Sequence, residues 1–213
     1  NKPYTCYTLY LKSNVELHLE EGAVLKGGPD GKKYPEFAPT DLWAWNRTPR
    51  FDKRAFVYAC GVTNVAITGK GVIDGSSEAF RTWSPKHKRY WRTHDLDITG
   101  RCLFFVRCAD VRLEDFTVLH STGWNTWILG CDRVTARGVT LDTDPEYPNG
   151  DGFHISSSRD VLVEKCRVFS SDDSFAIRSH QELLPPELAA CERITVRDTV
   201  CSSSGASFCR FGW

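Results

Sequence analysis

The chain repeats itself. Five segments superimpose without gaps at their starts: "TNVAITGKGVIDG", "ADVRLEDFTVLHS", "DRVTARGVTLDTD", "RDVLVEKCRVFSS" and "ERITVRDTVCSSS". Their anchors are Val65, Val111, Val134, Val161 and Ile194, followed two residues later by Ile67, Leu113, Ala136, Val163 and Val196. Seven residues after each anchor stand Val72, Val118, Leu141, Val168 and Cys201. Three residues before it, four segments carry Cys108, Cys131, Ser158 and Cys191. The repeat unit is about two dozen residues with insertions, which confines the chain to a solenoid-like architecture.

The periodicity within a unit says which solenoid. Strand side chains point to one face every second residue, so an anchor and the residue two later share a face, and a turn precedes the next inward position. Units this short, without helical periodicity, fit a parallel β-helix in which like positions stack from coil to coil. The small residues at the minus-three position then form an internal ladder of cysteine and serine. An antiparallel sandwich would not impose such a register, and a leucine-rich repeat would show a Leu/Asn consensus that is missing. The expected fold is all-β, with residues 1–213 forming a single parallel β-helix domain.

Composition narrows the function. Lys+Arg and Asp+Glu balance at 27 each in 213 residues, which gives no basis for nucleic-acid binding or attraction to an anionic membrane. No apolar run reaches the length of a membrane span, and "NKPYTCYTLYLKSNVELHLEEGAVL" reads as strand rather than signal peptide, as though the chain begins inside a fold. The nine cysteines are odd in number and lack CxxC spacing, so they read as small buried hydrophobes, a few of them disulfide-bonded, rather than a zinc site.

Three carboxylates interrupt the strands. Asp151 precedes "GFHI", and the pair Asp172–Asp173 precedes "SFAI". Aligning Ile155 with Ile177 sets Asp151 level with Asp173 on coils about 4.8 Å apart. Carboxylates that close repel, and at least one pKa must rise. A protonated acid beside ionised ones suits glycosidic hydrolysis, where one carboxyl protonates the leaving oxygen and another activates water. Asp-Gly turns and solvated or cation-binding Asp pairs are the ordinary alternatives. Both motifs in one register favour catalysis.

These residues resemble glycoside hydrolase family 28, the polygalacturonase-like right-handed parallel β-helix enzymes. "NGDG" at 149–152 is similar to their Asn-Thr-Asp-Gly motif, and "SDDSFAIRS" at 171–179 to their Gly-Asp-Asp segment. "VELHLEEGAVLKG", "GKGVIDG" and "STGWNTWIL" resemble earlier family segments. The resemblance implies an inverting hydrolase of a pectin-like or other acidic polysaccharide that needs no cofactor or metal. It makes Asp172 the general acid, with Asp151 and Asp173 holding and activating the water. It also implies a secreted or periplasmic protein, and a monomer is expected. Two family features differ. Ser207 falls where a Gly-His-Gly histidine is expected, which points to a divergent branch acting on another sugar. The Arg-Ile-Lys motif of the following coil would lie past Trp213, so a domain incomplete at its C-terminus, and possibly at its N-terminus, is expected.

Further residues are candidates for substrate binding. His154 stands beside Asp151, with a surface histidine as the equal alternative. Arg178, His180 and Arg210 could supply the cation for a uronate, and Trp124 could line a sugar subsite with Trp127. The loop 76–100 interleaves Arg81, Lys86, Lys88, Arg89 and Arg92 with Trp83, Tyr90 and Trp91, a composition suited to an anionic glycan, with an ordinary solvated loop holding a packed tryptophan as the equal alternative. The loop "HQELLPPELAA" is a candidate lid. Two rivals stand: a polysaccharide lyase holding Ca²⁺ on its clustered acids, and a non-catalytic carbohydrate-binding β-helix.

Overall fold

The computed structural model describes residues 2–37, 53–92, 100–181 and 183–212. Short strands stack into three parallel sheets, forming a right-handed β-helix. The anchor sheet runs through Val15–Leu19, Thr63–Gly69, Ala109–Glu114, Asp132–Arg137, Arg159–Glu164 and Glu192–Arg197. A second sheet runs through Leu9–Tyr10, Ala55–Cys60, Arg101–Val106, Thr126–Leu129, Phe153–Ser156, Phe175–Arg178 and Cys209–Phe211. The third comprises Tyr4–Cys6, Val24–Gly27, Val72–Asp74, Thr117–Leu119, Thr140–Asp142, Arg167–Ser170 and Val200–Ser203.

The anchors pair in the expected order, Val65 with Val111, Val111 with Val134, Val134 with Val161 and Val161 with Ile194. Val65, Val111, Val134 and Val161 are buried, and Ile194 is partly buried against the same core. Full burial of each valine contributes about 1.5–3 kcal/mol, which makes this column a principal source of stability. The register extends one coil earlier, to Val15 opposite Val65. One alignment is corrected: Ile73, not Val72, pairs with Val118 and is buried. The segment Gly69–Lys70–Gly71 holds one more residue than its counterparts, which shifts the strand by one and flips its faces.

The minus-three ladder is present. Cys108 N–H donates to Cys131 Sγ at 3.4 Å, and Cys131 N–H donates to Ser158 Oγ at 3.0 Å. Cys6, Cys102, Cys108, Cys131, Cys166, Cys191, Cys201 and Cys209 form no disulfide.

Corners explain the coil. Asn14, Asn64, Asp110, Arg133, Asp160 and Arg193, each just before an anchor, all have positive φ between 52° and 61°. Asp115, Gly138, Lys165 and Asp198 repeat the left-handed conformation after the anchor strand, and Gly61, Arg107, Gly130 and Ser157 repeat it before. A left-handed residue turns the chain sharply in one step; glycine holds it without Cβ strain, and Asn or Asp at reduced cost. Arginines carry it here while gripping the coil beneath. Arg133 binds Asp110 and Arg193 binds Asp160, each through Nε and Nη2.

The outer face of the second sheet is apolar. Tyr58, Phe104 and Trp127 line it, with the Phe104 and Trp127 rings stacked at 4.3 Å. Leu183 and Leu184 of the candidate lid are buried against this face, so that segment is packed down as part of the fold. The basic, aromatic loop forms an antiparallel hairpin, Arg81–Ser84 against Arg89–Arg92. Residues 93–99 of that loop, and the side chains of Arg89, Trp91 and Arg92, lie outside the described residues.

Candidate active site

The second sheet aligns the site. Leu103, Thr126, Phe153, Phe175 and Cys209 pair in succession. Two residues before each lie Arg101, Trp124, Asp151, Asp173 and Ser207, on five consecutive coils. The expected level of Asp151 with Asp173 holds: Gly152 N–H donates to Asp173 O at 2.9 Å.

Local sequence fixes the carboxylates. A Cβ on Gly150 would collide with Thr143 and Ser171, and one on Gly152 with Val168 and Ser174, so the glycines flanking Asp151 permit the close approach of neighbouring coils. Asn125 donates from N–H and Nδ2 to Asp151 O, both at 2.8 Å. The Ser170 and Ser203 hydroxyls donate to Asp172 O at 2.8 and 2.6 Å. Asp173 N–H donates to Asp172 Oδ1 at 2.9 Å.

The three carboxylates converge, with oxygens of Asp151, Asp172 and Asp173 all within 4.8 Å of one another. Asp151 is 4% exposed and Asp173 2%, whereas Asp172 is only partly buried. Burial, reinforced by the charge of Asp172, pushes the Asp151 carboxyl up to about 8; Arg101 opposes the rise and Asp173 adds to it. Sequence reasoning gave the retained proton to Asp172 through its neighbours' field. Burial keeps a proton on Asp151, which also faces the charges of Asp172 and Asp173. The separation also differs from expectation. Inverting hydrolases ordinarily set acid and base roughly 6.5–9.5 Å apart, and this trio is tighter because two of its members are stacked in register.

The remaining candidates divide. Arg210 belongs to the cluster, its Nη1 3.7 Å from Asp173 Oδ2. Ser207 does too, its N–H donating to Asp173 Oδ1 at 3.1 Å. Trp124 is half-buried beside Asp151. His154 is not a surface residue: it is 0% exposed, stacked on Trp124 with ring centroids 3.4 Å apart, and its Nδ1 lies 3.6 Å from Asp151 Oδ2. Burial drives its pKa down and keeps the ring neutral. His180 is also buried, its ring 5.8 Å from that of Trp127. Both histidines therefore sit beneath the surface that a substrate would touch. Arg178 is half-buried on the strand following the aspartate pair.

Sequence reasoning missed Arg101. It is 2% exposed, with its guanidinium 3.7 Å from the Trp124 ring centroid. A charged residue opening the apolar strand "RCLFFV", level with Trp124 and Asp151, was the available signal.

Two groups have metal-ligand geometry among the described residues: the aspartate trio, and Asp74 with Glu78 and His120. The second is met by Lys26, whose Nζ lies 2.9 Å from Glu78 Oε1 and 3.5 Å from Asp74 Oδ2. The hairpin closes over that side, with Arg81 paired to Asp144 and lying 4.1 Å from the Tyr90 ring centroid.

Comparison with known proteins agrees with this architecture. A probable polygalacturonase of Vitis vinifera is 26% identical over 79% of this chain, and an endo-polygalacturonase of Pectobacterium parmentieri is 24% identical over 81%. The chain spans 34% and 44% of those relatives' lengths. Among solved structures, a hyperthermoactive exopolygalacturonase from Thermotoga maritima superimposes with a TM-score of 0.75 at 25% identity, covering 96% of this chain and 52% of that one. The polygalacturonase from Erwinia carotovora ssp. carotovora gives 0.70 at 18% identity, covering 97% of this chain and 61% of that one, a likeness of fold. The sequence pattern of glycosyl hydrolases family 28 matches residues 43–205, and the chain belongs to that family.

Proposed function

We propose that this protein hydrolyses glycosidic bonds of a pectin-like or other acidic polysaccharide by acid/base catalysis. The observation that carries the reading is the convergence of Asp151, Asp172 and Asp173 within 4.8 Å on neighbouring coils of a family 28 β-helix. Asp172 is the member open to solvent, so a glycosidic oxygen reaches it first, and it serves as proton donor. Asp151 and Asp173, buried behind it, position and activate the water. Asp151, which retains a proton, lies within 4.8 Å of Asp172, so the proton that Asp172 delivers to the leaving oxygen is kept within the site. Arg210, beside Asp173, is the cation best placed to meet a uronate carboxylate. We place the protein outside the cytoplasm, secreted or periplasmic, and acting as a monomer, in keeping with its polysaccharide substrate. No helix among the described residues is long and apolar enough to cross a membrane.

The test uses polygalacturonate and branched pectic fractions. Reducing ends should appear without a rise in ultraviolet absorbance, and should persist in a chelator. Absorbance that rises and requires Ca²⁺ would establish the lyase instead. Bound but intact oligosaccharide after long incubation would establish a binding module. Proton NMR of the first product gives the anomeric outcome. We propose inversion on the strength of the family resemblance, against the short carboxylate separation, and a retained configuration would overturn that part of the mechanism.

A further inference from the structure

Behind the aspartate trio lies a stack that the proposed chemistry does not use. The Arg101 guanidinium lies 3.7 Å from the Trp124 ring centroid and 5.5 Å from that of Trp127. On Trp124 the His154 ring stacks at 3.4 Å, with planes 23° apart. His154 Nδ1 ends the series 3.6 Å from Asp151 Oδ2. Trp127 closes the side, edge-on to Trp124 at 5.1 Å. Gly123 makes the room, since a Cβ there would come within 3.0 Å of Arg101 Nη1. A planar guanidinium lies flat on an indole in a way that an ammonium does not.

We propose that Arg101 is a positioning residue for catalysis, clamping Trp124 and His154 against the Asp151 carboxyl and setting the electrostatic field in which that carboxyl works. The proposal rests on the hydrolase reading for its purpose but not for its test. Asp172, Asp173 and Arg101 act on Asp151, and His154 Nδ1 lies beside it. Behind it, Arg178, His180 and Arg101 act on His154. Arg210 reaches the trio through Asp173. Arg101 is thus the buried cation acting directly on Asp151, and it opposes the combined effect of burial and the two other carboxylates.

The experiment follows the Asp151 carboxyl by carbon-detected NMR of aspartate-labelled protein across pH, with Asp151→Asn assigning the resonance. Arg101→Gln should raise the Asp151 midpoint by about one pH unit, because the opposing positive charge is gone. A merely structural arginine would act the other way: loosened packing would admit water and lower the midpoint. An unchanged or lowered midpoint in a folded Arg101→Gln protein overturns the proposal. Should that variant fail to fold, Arg101→Lys decides. An ammonium does not lie flat on the indole and leaves the seat the guanidinium holds, so the midpoint should still rise, by about half a unit. If it stays put or falls, Arg101 does not set the field at Asp151. Neither readout needs substrate. Shifts as expected without pectin cleavage would sink the hydrolase reading alone, and cleavage without the shifts would sink this inference alone.

Discussion

Ser207 N–H donates to Asp173 Oδ1 at 3.1 Å from the coil beyond the aspartate pair. The contact is made by the main chain at the position where the family's histidine is expected, so the hydroxyl is not required for it. Ser207→Ala should therefore leave kcat/KM on a pectic substrate within about two-fold. Ser207→Pro removes the donor, and a hydrogen bond to a charged group is worth about 1.5–3 kcal/mol, so activity should fall by ten-fold or more. Steady-state kinetics with circular dichroism of both variants checks this. A large loss in Ser207→Ala would show that the side chain matters after all.

Asp151 links stability to pH. Its folded-state pKa of about 8 lies above the ordinary carboxylate value, so between these limits the folded state keeps a proton that the unfolded chain releases. Its contribution is fully present below about pH 4 and is lost as pH rises through about 8. The melting temperature should decline over that window. Asp151→Asn is neutral at every pH and should flatten the decline. Calorimetry at several pH values decides, and an equal slope in both proteins would mean that another group is responsible.

The solenoid was legible because its signal is repeated. Val111, Val134 and Val161 each state the same inward position, so one misread register, at Val72, did not disturb the others. The aspartate alignment followed from Ile155 and Ile177 for the same reason. What stayed hidden depends on packing across the outer face of a sheet. His154 looks like a surface residue in an alternating strand, and His180 like a cation open to substrate, because nothing local announces that Trp124, Trp127 and Leu184 cover that face. Arg101 was hidden in the same way: its partners are one and two coils later. The raised proton affinity of Asp151 was likewise invisible, since burial, rather than the count of neighbouring charges, is its leading cause.

Val134 tests the column itself. It is 1% exposed, between Val111 and Val161. Val134→Asp places an unpaired carboxylate in a dry interior and should cost about 4 kcal/mol or more, enough to abolish cooperative folding. Val134→Thr keeps the shape and adds only a hydroxyl, so it should be milder, about 1–3 kcal/mol. Urea melts of the two variants rank them, and equal midpoints would mean that the coil interior is wetter than the stacked valines imply.

Catalysis offers the sharpest division of labour. Asp172 is the partly exposed acid, and Asp151 and Asp173 are the buried pair behind it. Asp172→Asn preserves the shape but removes the proposed donor, and general acid catalysis contributes typically 10²–10⁴-fold. Hydrolysis of the natural glycan should therefore fall by about that factor while binding and melting temperature hold. A substrate with an activated leaving group needs little protonation, so Asp172→Asn should recover much of its rate on it. Asp151→Asn should not recover, because its defect lies on the water side of the bond. The opposite pattern, with rescue of Asp151→Asn alone, would exchange the two roles and make Asp151, the carboxyl that keeps its proton to about pH 8, the acid. If Asp172→Asn turns over the natural glycan at a near-normal rate, its assignment as proton donor is wrong whatever Asp151 does.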